Sequence, residues 1–503
     1  MATQPAALTP EQLQSVRGTL RSPRRLKTEI LGGLVVALAL IPEAIAFSVI
    51  AGVDPRIGLF ASFTMAVTIA FVGGRPAMIS AATGAVALVI APLVKSHGLD
   101  YLVAAVILAG IFQIILGLSG VAKLMRFIPR SVMVGFVNAL AILIFMSQVP
   151  ELLGVPWLVY PLTAVGLLIV FGLPKLTRAV PAPLVAIVVL TLTTVFAAAA
   201  VPTVGDKGAL PDSLPGLFVP NVPFNLDTLQ VIFPFALAMA FVGLLESLMT
   251  AKLVDDITDT RSPKTREAWG QGVANIVTGF TGGMGGCAMI GQTMINVKAS
   301  GARTRISTFL AGAFLLILVV ALGDIVSLIP MAALVAVMIF VSVATFDWHS
   351  IRPSTLRALP KSETLVMVST VIVTVATHNL AIGVGVGVLV AMVLFARRVA
   401  HFVTVDRTVA EVDGVPVATY TVDGELFFAS SNDLYTQFDY ALDPEHVVID
   451  MHRSHLWDAS TIASLDAITE KYRHHGKDVT ITGLNDASVL MRERLAGKLD
   501  AGH

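Results

Sequence analysis

Up to about residue 400 the apolar positions of this chain come in long runs bounded by proline, glycine and charge; beyond it they alternate in short stretches. The long runs have the length of membrane spans. They lie near residues 27–50, 57–72, 81–94, 101–118, 130–149, 157–173 and 183–200, and again near 229–251, 267–281, 289–298, 305–323, 330–346, 362–377 and 380–399. A polar, proline-rich connection over 201–227 divides them, so the pattern predicts seven spans in each half. Two runs are interrupted by small residues where a spanning helix would continue: residues 73–91 read GGRPAMISAATGAVALVIA and residues 278–298 read TGFTGGMGGCAMIGQTMINVK. Spans 81–94 and 289–298 are too short to cross hydrocarbon about 30 Å thick as helices alone, so extended backbone should complete each of them.

Irregular backbone survives in a bilayer only where it is buried in protein or lines a polar cavity, so each break marks a candidate site. A matching pair of breaks is the pattern of a transporter with inverted repeats and a site at the midplane. Seven spans per half is an odd number. The second half therefore enters the membrane from the opposite face, and the repeat is inverted.

Composition agrees with this reading. Hydrophobic residues make up 55% of the 503, charged residues 14%, and the mean hydropathy is +0.81, which describes a polytopic membrane protein. One cysteine, Cys287, excludes an internal disulfide framework and a cysteine-rich metal site. Residues 1–26 lack a central apolar run and turn basic at Arg21, Arg24 and Arg25, so they read as a cytoplasmic segment, not a cleaved signal. With the amino terminus inside, sixteen Lys and Arg residues, among them Arg75, Lys123, Arg126 and Arg178, fall in cytoplasmic connections. Only Arg56, Lys95 and Lys207 fall outside, as the positive-inside rule requires. Both termini are expected in the cytoplasm of a cell whose inner membrane holds the spans.

After Arg397 and Arg398 the pattern predicts strands at 415–422, 425–428, 447–450 and 479–482, with helices at 432–441, 460–474 and 486–494. This is a small cytoplasmic α/β module over 401–503, following a membrane domain over 27–400 whose repeats cover about 27–200 and 229–400.

Helix amino termini present unpaired N–H groups and the positive end of the helix dipole. The starts at Ala81 to Gly84 and at Gln292 to Met294, if they face each other, would hold an anion, with Ser80, Thr83, Gln292 and Thr293 as side-chain donors. Two acids lie inside spans, Glu43 in the first and Glu246 in the eighth. Burying a charge there costs on the order of 3 kcal/mol on insertion scales, so each is a functional candidate. Phe47 and Thr250 stand four residues on, sharing the faces of the two acids. Glu246 is the candidate coupling group, carrying a proton with the anion; a Glu246 and Thr250 pair would alternatively hold Na⁺. His378, near an outer loop, is expected to be solvated. No phosphate loop, HExxH or GxSxG motif appears, so neither ATP-driven transport nor hydrolysis is supported, and the chain is not expected to be an enzyme.

The segments LIPEAIAFS at 40–48 and AGVDPRIGLFAS at 51–62 closely resemble the first-span signature of the SulP family of sulfate permeases and anion exchangers. The break at 73–88, VGLLESL in the eighth span and GCAMIGQTMINVKASGARTR in the tenth agree, and IDMHRSHLWDAS resembles the strand, loop and helix start of a STAS domain. The resemblance implies fourteen spans arranged as core and gate subdomains, as in nucleobase permeases, and transport by an elevator-like movement. It implies an anion site at Glu43, Phe47, Ala82, Thr83, Gly84, Gly291, Gln292 and Thr293, with Glu246 as the coupling acid. Many members carry Gln in place of Glu43 and Arg in place of Gln292. The turn phosphorylated in related regulators appears here as Asp458, Ala459 and Ser460, with Ser460 read as a helix cap in preference to a phosphorylation site.

The expected activity is secondary active transport of a small anion such as fumarate, bicarbonate or sulfate, with H⁺ as coupling ion and no cofactor. Na⁺ coupling, anion exchange, nucleobase transport and signalling through the STAS module are the alternatives. Expected partners are the anion, membrane lipid, a second copy of the chain and an unidentified cytoplasmic partner of the STAS module. Nucleic acid is not among them.

Overall fold

A computed structural model of the chain describes residues 13–120, 128–176, 181–400, 403–412, 414–431 and 434–495. Helix ends follow the punctuation of the sequence. α1 (Val16–Leu20) leads into α2 (Pro23–Ala51), which opens on proline, where no N–H is needed, and closes on Gly52 at φ 76°. α3 (Pro55–Val72) also opens on proline. Strand β1 (Ser80–Ala81) precedes α4 (Gly84–Leu118), which holds two of the expected spans in two arms, since Gly98 at φ 79° and ψ −167° breaks the helix between them. α5 (Arg130–Gln148), α6 (Val159–Leu176) and α7 (Ala182–Phe196) complete the first half.

The second half repeats this order. It comprises α8 (Leu226–Thr258), α9 (Lys264–Phe280), strand β2 (Cys287–Ala288), α10 (Ile290–Met294), α11 (Arg305–Ala321), a short α12 (Gly323–Ser327), α13 (Met331–Thr345), a short α14 (Pro353–Ala358), α15 (Lys361–Thr377) and α16 (Leu380–Ala400). α10 runs on into a π turn over Ile295–Ala299, a feature often found at functional sites. Among the described residues there are thus fourteen membrane segments, seven per half, with a two-residue strand ahead of the third in each. Expected span 81–94 starts three residues late, because Ala81 belongs to β1 and Thr83 caps α4. Lys123, Arg126 and Arg178, used to orient the chain, lie outside the described residues, as do residues 1–12.

The helices sort into two bundles. α2, α3, α4, α8, α9 and α11 pack together in one, and α5, α6, α7, α13 and α15 in the other, giving core and gate. In lipid, helices associate where small residues let backbones meet. α4 and α9 cross at such a point: a Cβ on Gly110 would come within 2.6 Å of the Gly272 carbonyl oxygen, and one on Gly272 within 2.5 Å of that of Gly110.

The connection between the halves is tied to both bundles. Val204 N–H donates to the Ile329 carbonyl at 2.9 Å, and Lys207 pairs with Glu151 at 2.8 Å, beside the carboxyl end of α5. Two residues after Lys207, the Ala209 carbonyl accepts the N–H of Arg56 on α3 at 3.1 Å. Further on, Phe218 N–H donates to the Phe280 carbonyl at 2.7 Å, at the end of α9.

The chain divides into two compact units between Val388 and Leu389, within α16. In the second unit β3 (Thr404–Val412), β4 (Val415–Leu426), β5 (His446–Leu456) and β6 (Asp478–Thr482) form one sheet in chain order. β3 and β4 are antiparallel and the other pairs parallel. α17 (Phe428–Ser431), α18 (Ala459–His474) and α19 (Asp486–Leu495) complete it around a core that includes Tyr420, Ile449, Leu465 and Tyr472.

Three expectations are corrected here. β3 was not expected. Residues 425–428 are not a separate strand, because β4 continues through a register shift between Thr421 and Asp423 to Leu426 and a helix starts at Phe428. The helix expected over 432–441 is a single 3₁₀ turn at Leu434–Gln437, with Asn432 outside the described residues. Asp443 ends this region, fully buried, accepting hydrogen bonds from the hydroxyls of Tyr420 at 2.7 Å and Tyr472 at 2.5 Å and pairing with Arg407 at 2.7 Å. Burial and the adjacent Asp443 carboxylate hold both phenols above the ordinary tyrosine range, and burial pushes Tyr440 up to about 12.

Candidate functional site

The two breaks meet. β1 pairs antiparallel with β2, Ser80 opposite Ala288 and Ala81 opposite Cys287, so the extended backbone of each half finds its hydrogen bonds in the other. The Met289 N–H extends the pairing to the Ile79 carbonyl at 2.8 Å. α4 and α10 therefore start from a common two-stranded junction. Gly286 makes it possible: a Cβ there would lie 2.0 Å from the Ala81 carbonyl oxygen. Asn275 of α9 clamps the same glycine, donating to its carbonyl at 3.0 Å and accepting its N–H at 2.9 Å.

Thr83 caps α4, its Oγ1 accepting the Val86 N–H at 3.4 Å. Ala82 is buried, and its N–H donates to Ser62 Oγ at 3.3 Å. Gly84 lies beneath the buried Phe47 ring, where a Cβ would come within 2.9 Å of Phe47 Cε1. Phe47 thus covers the start of α4. One helical turn earlier, after the internal Pro42 of α2, the buried Glu43 carboxylate lies beside Gln292, the third residue of α10. Gly291 is exposed, with open space where its Cβ would stand.

Other hydroxyls face inward. Thr293 Oγ1 accepts the Ile79 N–H at 3.0 Å, Ser80 Oγ accepts from Gln271 at 2.7 Å, and Thr250 donates to the Glu246 main-chain carbonyl one turn back at 2.7 Å. Glu246 itself is buried, and its Oε2 accepts the Cys287 thiol at 3.0 Å. Cys287 Sγ lies 3.2 Å from Thr83 Oγ1, with either atom able to donate. A continuous chain of contacts thus joins Glu246, Cys287 and Thr83. His378 caps the end of α15 in an exposed position. In the second unit, Asp458 and not Ser460 caps α18, accepting the Thr461 N–H at 3.0 Å, because the cap position needs an acceptor at that place and Ser460 already lies within the first turn.

Sequence reasoning missed the polar stripe Glu267, Gln271 and Asn275, which lie four apart along α9 and are fully buried. Glu267 Oε2 accepts the N–H groups of Gly74 at 2.7 Å and Arg75 at 2.9 Å, holding the turn ahead of β1. Arg75 is not a free loop charge: it is buried and paired with Asp255 at 3.0 Å. Glu29 of α2 does for the second half what Glu267 does for the first, accepting the N–H groups of Arg303, Thr304 and Ser307 at 2.7 to 3.1 Å at the start of α11. The four-residue spacing on α9 was the available signal. Among the described residues no group of three or more His, Cys, Asp or Glu side chains stands close enough to hold a metal ion. A cavity of about 290 Å³ opens between α2, α5 and α13, lined by Ala46, Val49, Ser147, Gln148, Glu151 and Leu334 among others.

The sequence matches the model of the sulfate permease family over residues 26–166 and 157–370 and the STAS domain model over residues 407–495. It is 53% identical over 471 residues to the putative sulfate transporter YbaR of Bacillus subtilis, covering 94% of this chain and 97% of that one. It is 28% identical over 412 residues to the bicarbonate transporter BicA of Picosynechococcus sp., covering 75% and 71%. Among solved structures, the transmembrane domain of a cyanobacterium bicarbonate transporter BicA matches at a TM-score of 0.64 and 24% identity, covering 72% of this chain and 98% of that one. The murine Slc26a9 anion transporter in the inward-facing state matches at a TM-score of 0.80 and 16% identity, covering 98% and 92%. At these identities the structural likeness speaks for the fold alone.

Proposed function

We propose that this chain, which belongs to the sulfate permease family and is an anion transporter with a carboxy-terminal STAS domain, is a proton-coupled symporter of a small anion, binding it between the starts of α4 and α10. The observation that carries the reading is the β1–β2 pairing, which brings two helix starts to one junction beside the intramembrane acids Glu43 and Glu246. The anion sits under Phe47, against the main-chain N–H groups at Thr83 and Gly84 and beside Gly291 and Gln292. Ala82 and Thr293 support the two starts from behind, through Ser62 and Ile79.

Gln292 supplies hydrogen bonds but no positive charge, so the site favours an anion that also accepts hydrogen bonds from neutral donors. Fumarate and similar carboxylates fit that chemistry. Sulfate and bicarbonate, in the names of the relatives, are the competing substrates. Glu246 carries the proton, and its partner Cys287 in β2 ties it to the junction. The core bundle moves against the gate bundle to expose the site to each side in turn, in a homodimer of the inner membrane with both termini cytoplasmic.

The test is uptake into proteoliposomes under an inward proton gradient, with sulfate, bicarbonate, oxalate, fumarate, succinate and chloride as competitors, with and without Na⁺. Accumulation of one labelled anion that follows the proton gradient and is lost in Glu246→Gln is the expected result. Full concentrative uptake by Glu246→Gln overturns the role of Glu246, and uptake that follows Na⁺ instead overturns proton coupling. Anion binding without flux favours a sensor.

A further inference from the structure

We propose that Cys287 is a positioning residue that transmits protonation of Glu246 to the anion site, by reversing the direction of a hydrogen-bond chain that ends on the cap of α4. The inference rests on the reading of Glu246 as the proton carrier. Its geometric basis is the continuous contact from Glu246 Oε2 through Cys287 Sγ at 3.0 Å to Thr83 Oγ1 at 3.2 Å, all three residues being buried.

A carboxylate only accepts hydrogen bonds, whereas a thiol and a hydroxyl each carry one hydrogen and can also accept. With Glu246 ionised, the Cys287 S–H must point to Glu246. The thiol then offers its lone pair to Thr83, whose O–H turns to Cys287 and away from the pocket. When Glu246 takes one proton from water, its new O–H donates to Cys287 Sγ. The S–H turns to Thr83 Oγ1, and the Thr83 O–H, no longer directed at Cys287, is free to donate to an anion bound at the start of α4. Throughout, Thr83 Oγ1 accepts the Val86 N–H, so the cap persists in both states. The thiol and the hydroxyl each keep their own hydrogen and only rotate, and the one bond formed is the O–H of Glu246. The protonated state therefore offers an entering anion one more donor than the ionised state. Proton and anion favour each other's binding, as linkage requires of a symporter.

Among the described residues the other charged groups on the elements around Glu246 have contacts or positions of their own: Glu43, from α2, lies beside Gln292, and Glu267 on α9 holds the 74–75 turn. Lys264 pairs with Asp255, Asp100 on α4 accepts the Asn221 N–H, and Lys95 and Lys298 are exposed.

The experiment measures binding of labelled sulfate, and of fumarate in a parallel series, to the purified full-length protein between pH 6 and pH 8, every chain carrying Glu43→Gln so that the other acid at the proposed site adds no pH dependence of its own. The otherwise wild-type chain is expected to bind about tenfold more tightly at pH 6, within the usual range of coupling between sites. Cys287→Ala is expected to lose that dependence and bind at the weaker, alkaline value throughout, while Cys287→Ser, which can donate and accept, regains it. A Cys287→Ala protein whose affinity falls equally at both pH values, or is unchanged, overturns the proposal, and so does a Cys287→Ser protein without pH dependence. Glu246→Gln separates the two levels. If it keeps the wild-type pH dependence, the proton-carrier reading fails and the relay with it. If Glu246→Gln is flat and Cys287→Ala is not, only the relay fails.

Discussion

Gly286 and Ala81 stand so close across the β1–β2 junction that any side chain on the glycine would occupy the space of the alanine carbonyl, 2.0 Å from its Cβ position. The clash is with main chain, which cannot swing aside as a side chain can. Gly286→Ala is therefore expected to separate the two helix starts. Overpacking of this kind costs on the order of 1–3 kcal/mol or more, to be read as a lowered melting temperature of the detergent-solubilised protein together with loss of anion binding.

Glu267 and Glu29 are buried acceptors of main-chain N–H groups contributed by the opposite half of the chain. Removing such an acceptor strands donors that cannot reach water, at about 1–3 kcal/mol for each group. Glu267→Ala and Glu29→Ala are each expected to lower the thermal stability of the purified protein more than alanine at an exposed acid such as Asp256 does. Equal melting temperatures for the three variants would show that these carboxylates do not hold the turns.

Glu43 brings a second acid to the proposed anion site, beside Gln292. Glu43→Gln keeps a hydrogen-bonding group while removing the chance of negative charge. Anion affinity is expected to rise, most at alkaline pH, where the acid is ionised and repels the ligand by on the order of 1–3 kcal/mol at short range. Binding isotherms at pH 6 and pH 9 check this; an unchanged affinity at pH 9 would place Glu43 outside the pocket's field.

In the STAS domain the Tyr472 hydroxyl donates to the buried Asp443. Tyr472→Phe is expected to cost about 2 kcal/mol, the range for a hydrogen bond to a charged group. Because Tyr420 and Tyr472 are held above their unfolded value near 10, their contribution is full below about pH 10 and declines as pH rises beyond it. Denaturant unfolding followed between pH 8 and pH 11 should show that decline, and Tyr472→Phe should flatten it.

Much of the membrane domain was legible because lipid imposes a simple code. Apolar runs had to be helices, Pro23, Pro55 and Gly52 marked their ends, and breaks had to find partners. Thr83 was legible as a polar group at a helix start but not as its cap, because the apolar run was read from Ala81, which lies in β1. What stayed hidden depended on contacts far apart in sequence. Nothing local says that Cys287 lies between Glu246 and Thr83, or that Arg75 is buried against Asp255. The stripe Glu267, Gln271 and Asn275 was visible in its spacing but lay within a run read for its hydropathy. β3 escaped because it is an edge strand whose side chains are nearly all exposed, so its sequence carries no alternation.

The loop joining the halves sets a limit on travel. Lys207 is anchored to Glu151 beside the gate helix α5, and Ala209 to Arg56 on the core helix α3. Two residues of chain reach at most about 7 Å when fully extended. If the bundles slide past one another as proposed, that stretch, lengthened only by the reach of the Lys207 and Glu151 side chains, is a ruler for how far they travel before one of the two anchors lets go.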